Sequence, residues 1–267
     1  MNNLSLFVSE YRNNAAGNDS THQLFTQKTN EISFLKNHRD YIEQHKLGFG
    51  DRAFHFMWYL LFNEVAARGQ VPVRALEIGV YKGQVISLWA LLSRQQNVPA
   101  EISAISPLEG TLPSNSVLNS RVVKKIRRIF SPSFRKQEKE GNLYLNEDYK
   151  KIISDLFSHF DLDFGKIKLH KGYSNDQGIL EAVKGKRFDL IYIDGDHSYE
   201  GALNDIKNYS PLVNDKGYLV MDDASWFLEG TTFWKGHAEV SRASEIIESL
   251  GFRNILNVGH NRVYQKN

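Results

Sequence analysis

The chain has 267 residues, of which 41% are hydrophobic and 24% charged, the proportions of a folded globule rather than a disordered or fibrous chain. Lys plus Arg number 33 against 31 for Asp plus Glu, so the formal charge of +2 provides no global attraction to nucleic acid, and none is expected as a partner. Cysteine is absent, which excludes disulfides, thiolate metal ligands and a cysteine nucleophile together and leaves oxygen and nitrogen chemistry.

The first forty residues cluster Asn13, Asn14, Asn18, Asp19, Ser20 and Thr21 and read as a loose arm leading into a helix around Glu31 to His45. Asp51 can cap a further helix, in which Phe54, Trp58, Leu61, Phe62 and Val65 fall at helical spacing before Gly69 and Pro72. Residues 1–70 are therefore expected to be an arm and helices packed on a core formed by residues 71–267. The longest apolar run, Phe56 to Phe62, is far short of a membrane span, and the N-terminus lacks the pattern of a secretory signal. A cytoplasmic protein is the simplest expectation.

From Val73 onward, short apolar runs (RALEI, EISAIS, KIKLH, DLIYI, GYLVM) alternate with helical stretches, the signature of parallel strands covered on both faces in an α/β sheet. The closing segment instead reads as two strands joined at Gly259 and Asn261, an antiparallel hairpin. An insertion at about residues 108–165 is too long for a plain connection and predicts a helical cap. Its first half is basic, with Lys124, Lys125, Arg127 and Arg128 at its centre, and reads as a solvated helix face or as a surface for an acidic acceptor.

Glu77, Gly79, Tyr81 and Gly83 sit on the turn where the first parallel strand enters a helix, and ligands of open α/β sheets bind at that edge. The spacing E-x-G-x-x-x-G lacks the dinucleotide fingerprint, so a nucleoside ligand without a diphosphate suits it better. The stronger signal is IDGDHSYEG followed by MDD. Asp194, Asp196 and His197 leave one strand end, while Asp222 and Asp223 leave the neighbouring one. Clustered carboxylates repel unless a cation neutralises them, and an all-oxygen set of Asp194, Asp222 and Asp223 is of the kind that Mg²⁺, Ca²⁺ or Mn²⁺ selects. His197 is the leading general base because imidazole titrates near neutral pH, with Asp196 as its rival; the other eight histidines are read as structural.

On LEIGVYKG, IDGDHSYEG with MDD, FWKGHAEVSRA and the closing VGHNRVYQK, the chain resembles the class I S-adenosylmethionine-dependent methyltransferases, and among them the metal-dependent macrocin O-methyltransferase-like family. The resemblance implies a Rossmann-like fold, a seven-stranded, mostly parallel sheet with an antiparallel C-terminal hairpin. It places Glu77, Gly79, Tyr81, Gly83, Ser106, Ser174 and Asp194 around the cofactor, and Asp194, Asp222 and Asp223 on Mg²⁺ or another divalent cation. Two positions depart from the family. Ser106 replaces an acid that usually grips the ribose hydroxyls, with Glu109 as a nearby substitute, and Val85 stands where Ser is common.

The function expected from these residues is Mg²⁺-assisted O-methylation of a hydroxyl on a sugar, glycan or related small molecule. The alternatives are a metal-dependent hydrolase, a hydroxylase-like family member, or a catalytically silent cofactor-binding domain. The acceptor, the position methylated and any homo-oligomer are left open by the sequence.

Overall fold

The computed structural model describes residues 4–69, 71–110, 125, 128–132, 145–229 and 233–267. The apolar runs become β1 (Val73–Ile78), β2 (Ala100–Ser106), β3 (Lys168–Lys171), β4 (Phe188–Ile193) and β5 (Val213–Met221), all parallel, and the terminal hairpin becomes β6 (Phe252–Val258) and β7 (Asn261–Lys266). They form one seven-stranded sheet in the order β3-β2-β1-β4-β5-β7-β6. The antiparallel strand β7 lies inside, paired with β5 on one side and β6 on the other, so the sheet edge is β6. The strand order reverses between β1 and β4, and this opens a crevice over their carboxyl ends.

Alternation along the strands splits the core in two. Leu76, Ile78, Ile191, Ile193, Leu219 and Met221 face α8 (Tyr199–Tyr209) and α9 (Ala238–Ser244), whereas Ala75, Leu190, Tyr192, Val220 and Val263 face the N-terminal helices and α5 (Gln84–Gln96). On the second face Trp58 of α4 (Arg52–Ala67) meets Trp89 and Tyr192 edge-on at ring distances of 4.9 and 5.3 Å. Asp51 caps α4 through the Arg52 amide, as its position before the apolar stripe predicts.

The N-terminal segment is the helical arm that the fold class implies, and its polar first stretch, which reads as loose, is helical too. It forms α1 (Leu4–Glu10) and α2 (Ala15–Glu31), followed by α3 (Ser33–His45). The polar cluster that suggested a loop has specific partners: Asn14 caps α2 through the Gly17 amide, and buried Asn18 donates to the Gly259 carbonyl at 2.9 Å. Phe25, fully buried on α2, packs edge-on against Phe56. Of the insertion, α6 (Tyr149–His159) is described, and its Ile153 packs beneath the β1–α5 turn. Of the basic residues Lys124, Lys125, Arg127 and Arg128, only Lys125 and Arg128 fall within the described residues, so the cap and its charged face lie largely outside them. α7 (Gln177–Val183) lies between β3 and β4. Among the described residues no helix is long and apolar enough to cross a membrane.

α3, α4 and α5 are joined by a buried polar relay. His38 Nδ1 lies 2.9 Å from His55 Nε2, and His38 Nε2 lies 3.0 Å from Ser87 Oγ. Burial pushes the His38 pKa down to about 3 and that of His55 well below its usual value, so both rings fold neutral. An unfolded histidine titrates near ~6.5. Below that pH the unfolded chain binds protons that the folded one refuses, and stability falls as pH drops, whereas above it no ionisation penalty applies. The His38→Gln variant should therefore lose less melting temperature than wild type between pH 7 and pH 5 in scanning calorimetry, and equal losses would contradict a neutral relay.

Candidate active site

Successive backbone bonds align the strand ends that build the site. Gly79 N–H donates to Ile105, Asp194 N–H to Ile78, and Asp222 N–H to Ile193, so the residues after β1, β4 and β5 sit side by side on one edge. They open into a single cavity of about 810 Å³ that reaches from the β1–α5 turn to the β5–α9 connection. Its volume falls in the range of small-molecule and cofactor sites.

Glu77, at 2% exposure, lines this cavity and accepts from the Ile86 amide at the start of α5, while its Oε2 has no hydrogen-bond partner. Burial and the neighbouring Asp194 carboxyl push its pKa well above the usual carboxylate range. An orphaned buried carboxyl oxygen facing a cavity fits a ligand that brings a cationic amine. Gly79 also lines the cavity, but at φ +92° a Cβ would stand 1.6 Å from the Asp194 carbonyl oxygen, so the space left by its missing side chain is taken by β4 rather than by a ligand. Gly83 is not among the lining residues; it packs on Ile153 of α6. Tyr81 does line the cavity and stacks on Phe49, with ring centroids 5.0 Å apart.

Ser106 and Ser174 also line the cavity. Ser106 Oγ accepts from the Leu108 amide at 3.3 Å, and Glu109 lines the exposed rim beside it. Ser174 is hydrogen-bonded to Asp205 of α8, a buried carboxyl that burial pushes up to about 7. The loop at Gly48, Phe49 and Gly50 closes one side, held close to Gln84 at the start of α5; a Cβ on either glycine would strike that side chain. Neither this loop nor Asp205 stands out in the sequence, because nothing in their spacing ties them to the strand ends.

At the ends of β4 and β5 the acids gather with more imidazoles than the sequence predicts. His197 Nε2 lies 3.6 Å from Asp194 Oδ1 and 3.7 Å from Asp223 Oδ2, and its ring stacks on His237 at 4.6 Å. His237 Nε2 is 3.4 Å from Asp223 Oδ2, and His260 Nε2 is 3.3 Å from Asp222 Oδ1. His237 and His260, which the sequence reads as structural, thus stand beside the acids. Among the described residues, the donor groups compact enough to hold a metal ion are Asp222, Asp223 and His260, and His197, Asp223 and His237. Asp194 belongs to neither group but is hydrogen-bonded to Asp222, so it stays beside the two acids with which the sequence predicts it to share a cation. Asp196 is turned to the backbone, its Oδ1 accepting from the Ser198 amide at 2.8 Å, although it also lines the cavity.

Burial and the adjoining Asp222 and Asp223 charges push Asp194 well above the usual range, and burial with the Asp222 charge raises Asp223. Burial pushes Asp222 upward as well, but the His260 charge and hydrogen bonds from His260 and Asp194 outweigh it and hold Asp222 low. In return Asp222 overcomes the burial of His260 and lifts it to about 9. The carboxyls thus oppose one another's ionisation, and a cation could relieve that repulsion. Gly79→Ala should lower the melting temperature by about 5 °C or more, because its Cβ must displace the Asp194 backbone; a variant that melts like wild type would contradict this packing.

A family model described as a methyltransferase domain matches residues 76–224, a span that holds the β1 turn and both acidic strand ends. The fold is similar to that of the O-methyltransferase NovP, with 17% identity, 78% of this chain and 77% of that chain covered, and a TM-score of 0.56. It is also similar to an O-methyltransferase from Bacillus cereus solved with S-adenosylhomocysteine (12% identity, 88% and 91% covered, TM-score 0.50). An uncharacterized protein of Acanthamoeba polyphaga mimivirus is 35% identical over 66 residues, which is 24% of this chain and 30% of that protein, so the chain spans less than a third of that curated relative. With its strand order, its crevice at the β1–β4 reversal and the matched segment covering more than half its length, the chain belongs to the methyltransferase-domain family.

Proposed function

We propose that this chain is an S-adenosylmethionine-dependent, divalent-cation-assisted O-methyltransferase acting on a hydroxyl of a sugar, glycan or related small molecule. The observation that carries the reading is that one cavity joins the Glu77 turn to the acid and histidine cluster, so donor and acceptor groups can meet without crossing protein. S-adenosylmethionine, when bound, supplies an already activated methyl group. A divalent cation at Asp222 and Asp223 would supply positive charge that favours loss of a proton from a nearby hydroxyl.

The protein's own residues then have separable tasks. Glu77 offers its orphaned oxygen to an ammonium, and the Ser174–Asp205 pair lines the same cavity. His197 Nε2 faces the acids, where a proton taken from the acceptor would be stabilised by Asp194 and Asp223. Asp196 has one oxygen already engaged by the Ser198 amide, which favours His197 as the base. Phe49, Tyr173 and Trp234 line the cavity with half or more of each residue exposed, and such apolar ring faces suit the C–H faces of a sugar. The likeness to NovP, an O-methyltransferase, supports methyl transfer to oxygen.

Calorimetric titration with S-adenosylhomocysteine, followed by an acceptor screen with a labelled methyl donor, tests the reading; failure to bind that compound would overturn it. Glu77→Gln should weaken its binding by about tenfold or more, since a charge-assisted bond becomes a neutral one. His197→Ala should lower turnover by on the order of 10² while leaving cofactor affinity unchanged. An Asp196→Asn variant with that kinetic loss, beside an active His197→Ala, would move the base to Asp196.

A further inference from the structure

The interior end of the cluster is built differently from a carboxylate site for a hard ion. Asp222, Asp223 and His260 are each at least nine-tenths buried, with exposures of 9%, 7% and 6%. His260 Nε2 stands 3.3 Å from Asp222 Oδ1 and 4.0 Å from Asp223 Oδ1, and donor atoms of the three residues are close enough together to hold one ion. With metal bonds of about 2.1 Å, neighbouring donors lie about 3.0 to 3.4 Å apart and opposite ones about 4.2 Å.

The position of His260 is also fixed from several sides. Asp222 follows β5, which pairs with β7 through Met221 and Arg262, so the β6–β7 turn is brought beside the acid. The His260 carbonyl accepts from the Ala224 amide at 2.9 Å, Asn18 holds the preceding Gly259 carbonyl, and Phe54 meets the His260 ring edge-on at 4.7 Å. This support presents Nε2 to the acids from a rigid element, as a ligand requires.

We infer that His260 is a metal ligand of this centre together with Asp222 and Asp223, and that the centre accordingly prefers a nitrogen-accepting transition ion of the Mn²⁺-to-Zn²⁺ group over Mg²⁺. The inference rests on the metal-assisted reading above and specifies its ion. Imidazole suits these ions, while Mg²⁺ favours oxygen donors and water, so replacing one oxygen by nitrogen shifts the preference. Trp234, which donates to Asp223 Oδ1 at 3.1 Å, holds the second carboxylate in place.

The test loads the full chain with Co²⁺, Mn²⁺ or Mg²⁺. Calorimetry should find Co²⁺ bound about tenfold or more tighter than Mg²⁺, and His260→Ala should remove that advantage while changing Mg²⁺ affinity by no more than about threefold. Should that variant fail to fold, the electron spin echo of a Mn²⁺-loaded chain carrying His197→Ala and His237→Ala decides, where ¹⁴N modulation from the remaining bound imidazole is expected. Equal Co²⁺ and Mg²⁺ affinities, or bound Mn²⁺ with no ¹⁴N modulation, would overturn the ligand assignment and leave cation-assisted methyl transfer standing. Absence of binding by all three ions would overturn both.

Discussion

Three carboxyl groups buried within reach of one another cannot all carry charge, and the site at the ends of β4 and β5 is organised by that constraint. Asp222 stays ionised because His260 pairs with it, Asp194 keeps a proton because Asp222 does not, and Asp223 shares the surrounding imidazoles. Removing one partner would leave another as an uncompensated buried charge, a far larger cost than the loss of a surface ion pair. A single divalent ion could take over that neutralising role.

The sheet places these groups without help from long loops. At the β1–β4 reversal, Gly79 lets the first turn press against the Asp194 carbonyl, so the cofactor-side turn and the acidic strand end share one wall. Antiparallel β7, inserted between β5 and β6, carries its turn back over the end of β5 and brings His260 beside Asp222. The N-terminal helices complete the arrangement through the Asn18 bond to Gly259, so a segment distant from the sheet in sequence supports the residue that holds Asp222 low.

The strands and the hairpin were legible because each is a short apolar run bounded by turn residues, and burial on both faces permits little else. Asp194, Asp222 and Asp223 were legible as a group because each directly follows such a run. His237 and His260 were not, although both lie in the segments FWKGHAEVSRA and VGHNRVYQK. A lone histidine carries no periodic signal, and its distance from the acids closes only through strand order and the Asp223 to His237 backbone bond. The N-terminal polar cluster misled for a related reason. Asn14 and Asn18 have the composition of a loop, but one caps a helix and the other makes a buried long-range bond, which composition alone cannot distinguish.

The central claim is that one cavity holds a methyl donor and a divalent cation side by side. Anomalous diffraction from crystals grown with S-adenosylhomocysteine and Mn²⁺ tests it most directly. The expected result is a Mn²⁺ peak in contact with Asp222 and Asp223 and a bound cofactor product whose amine meets Glu77 in the same cavity. An ordered product at the Glu77 turn with no metal peak at the acids, or a peak elsewhere on the protein, would contradict it.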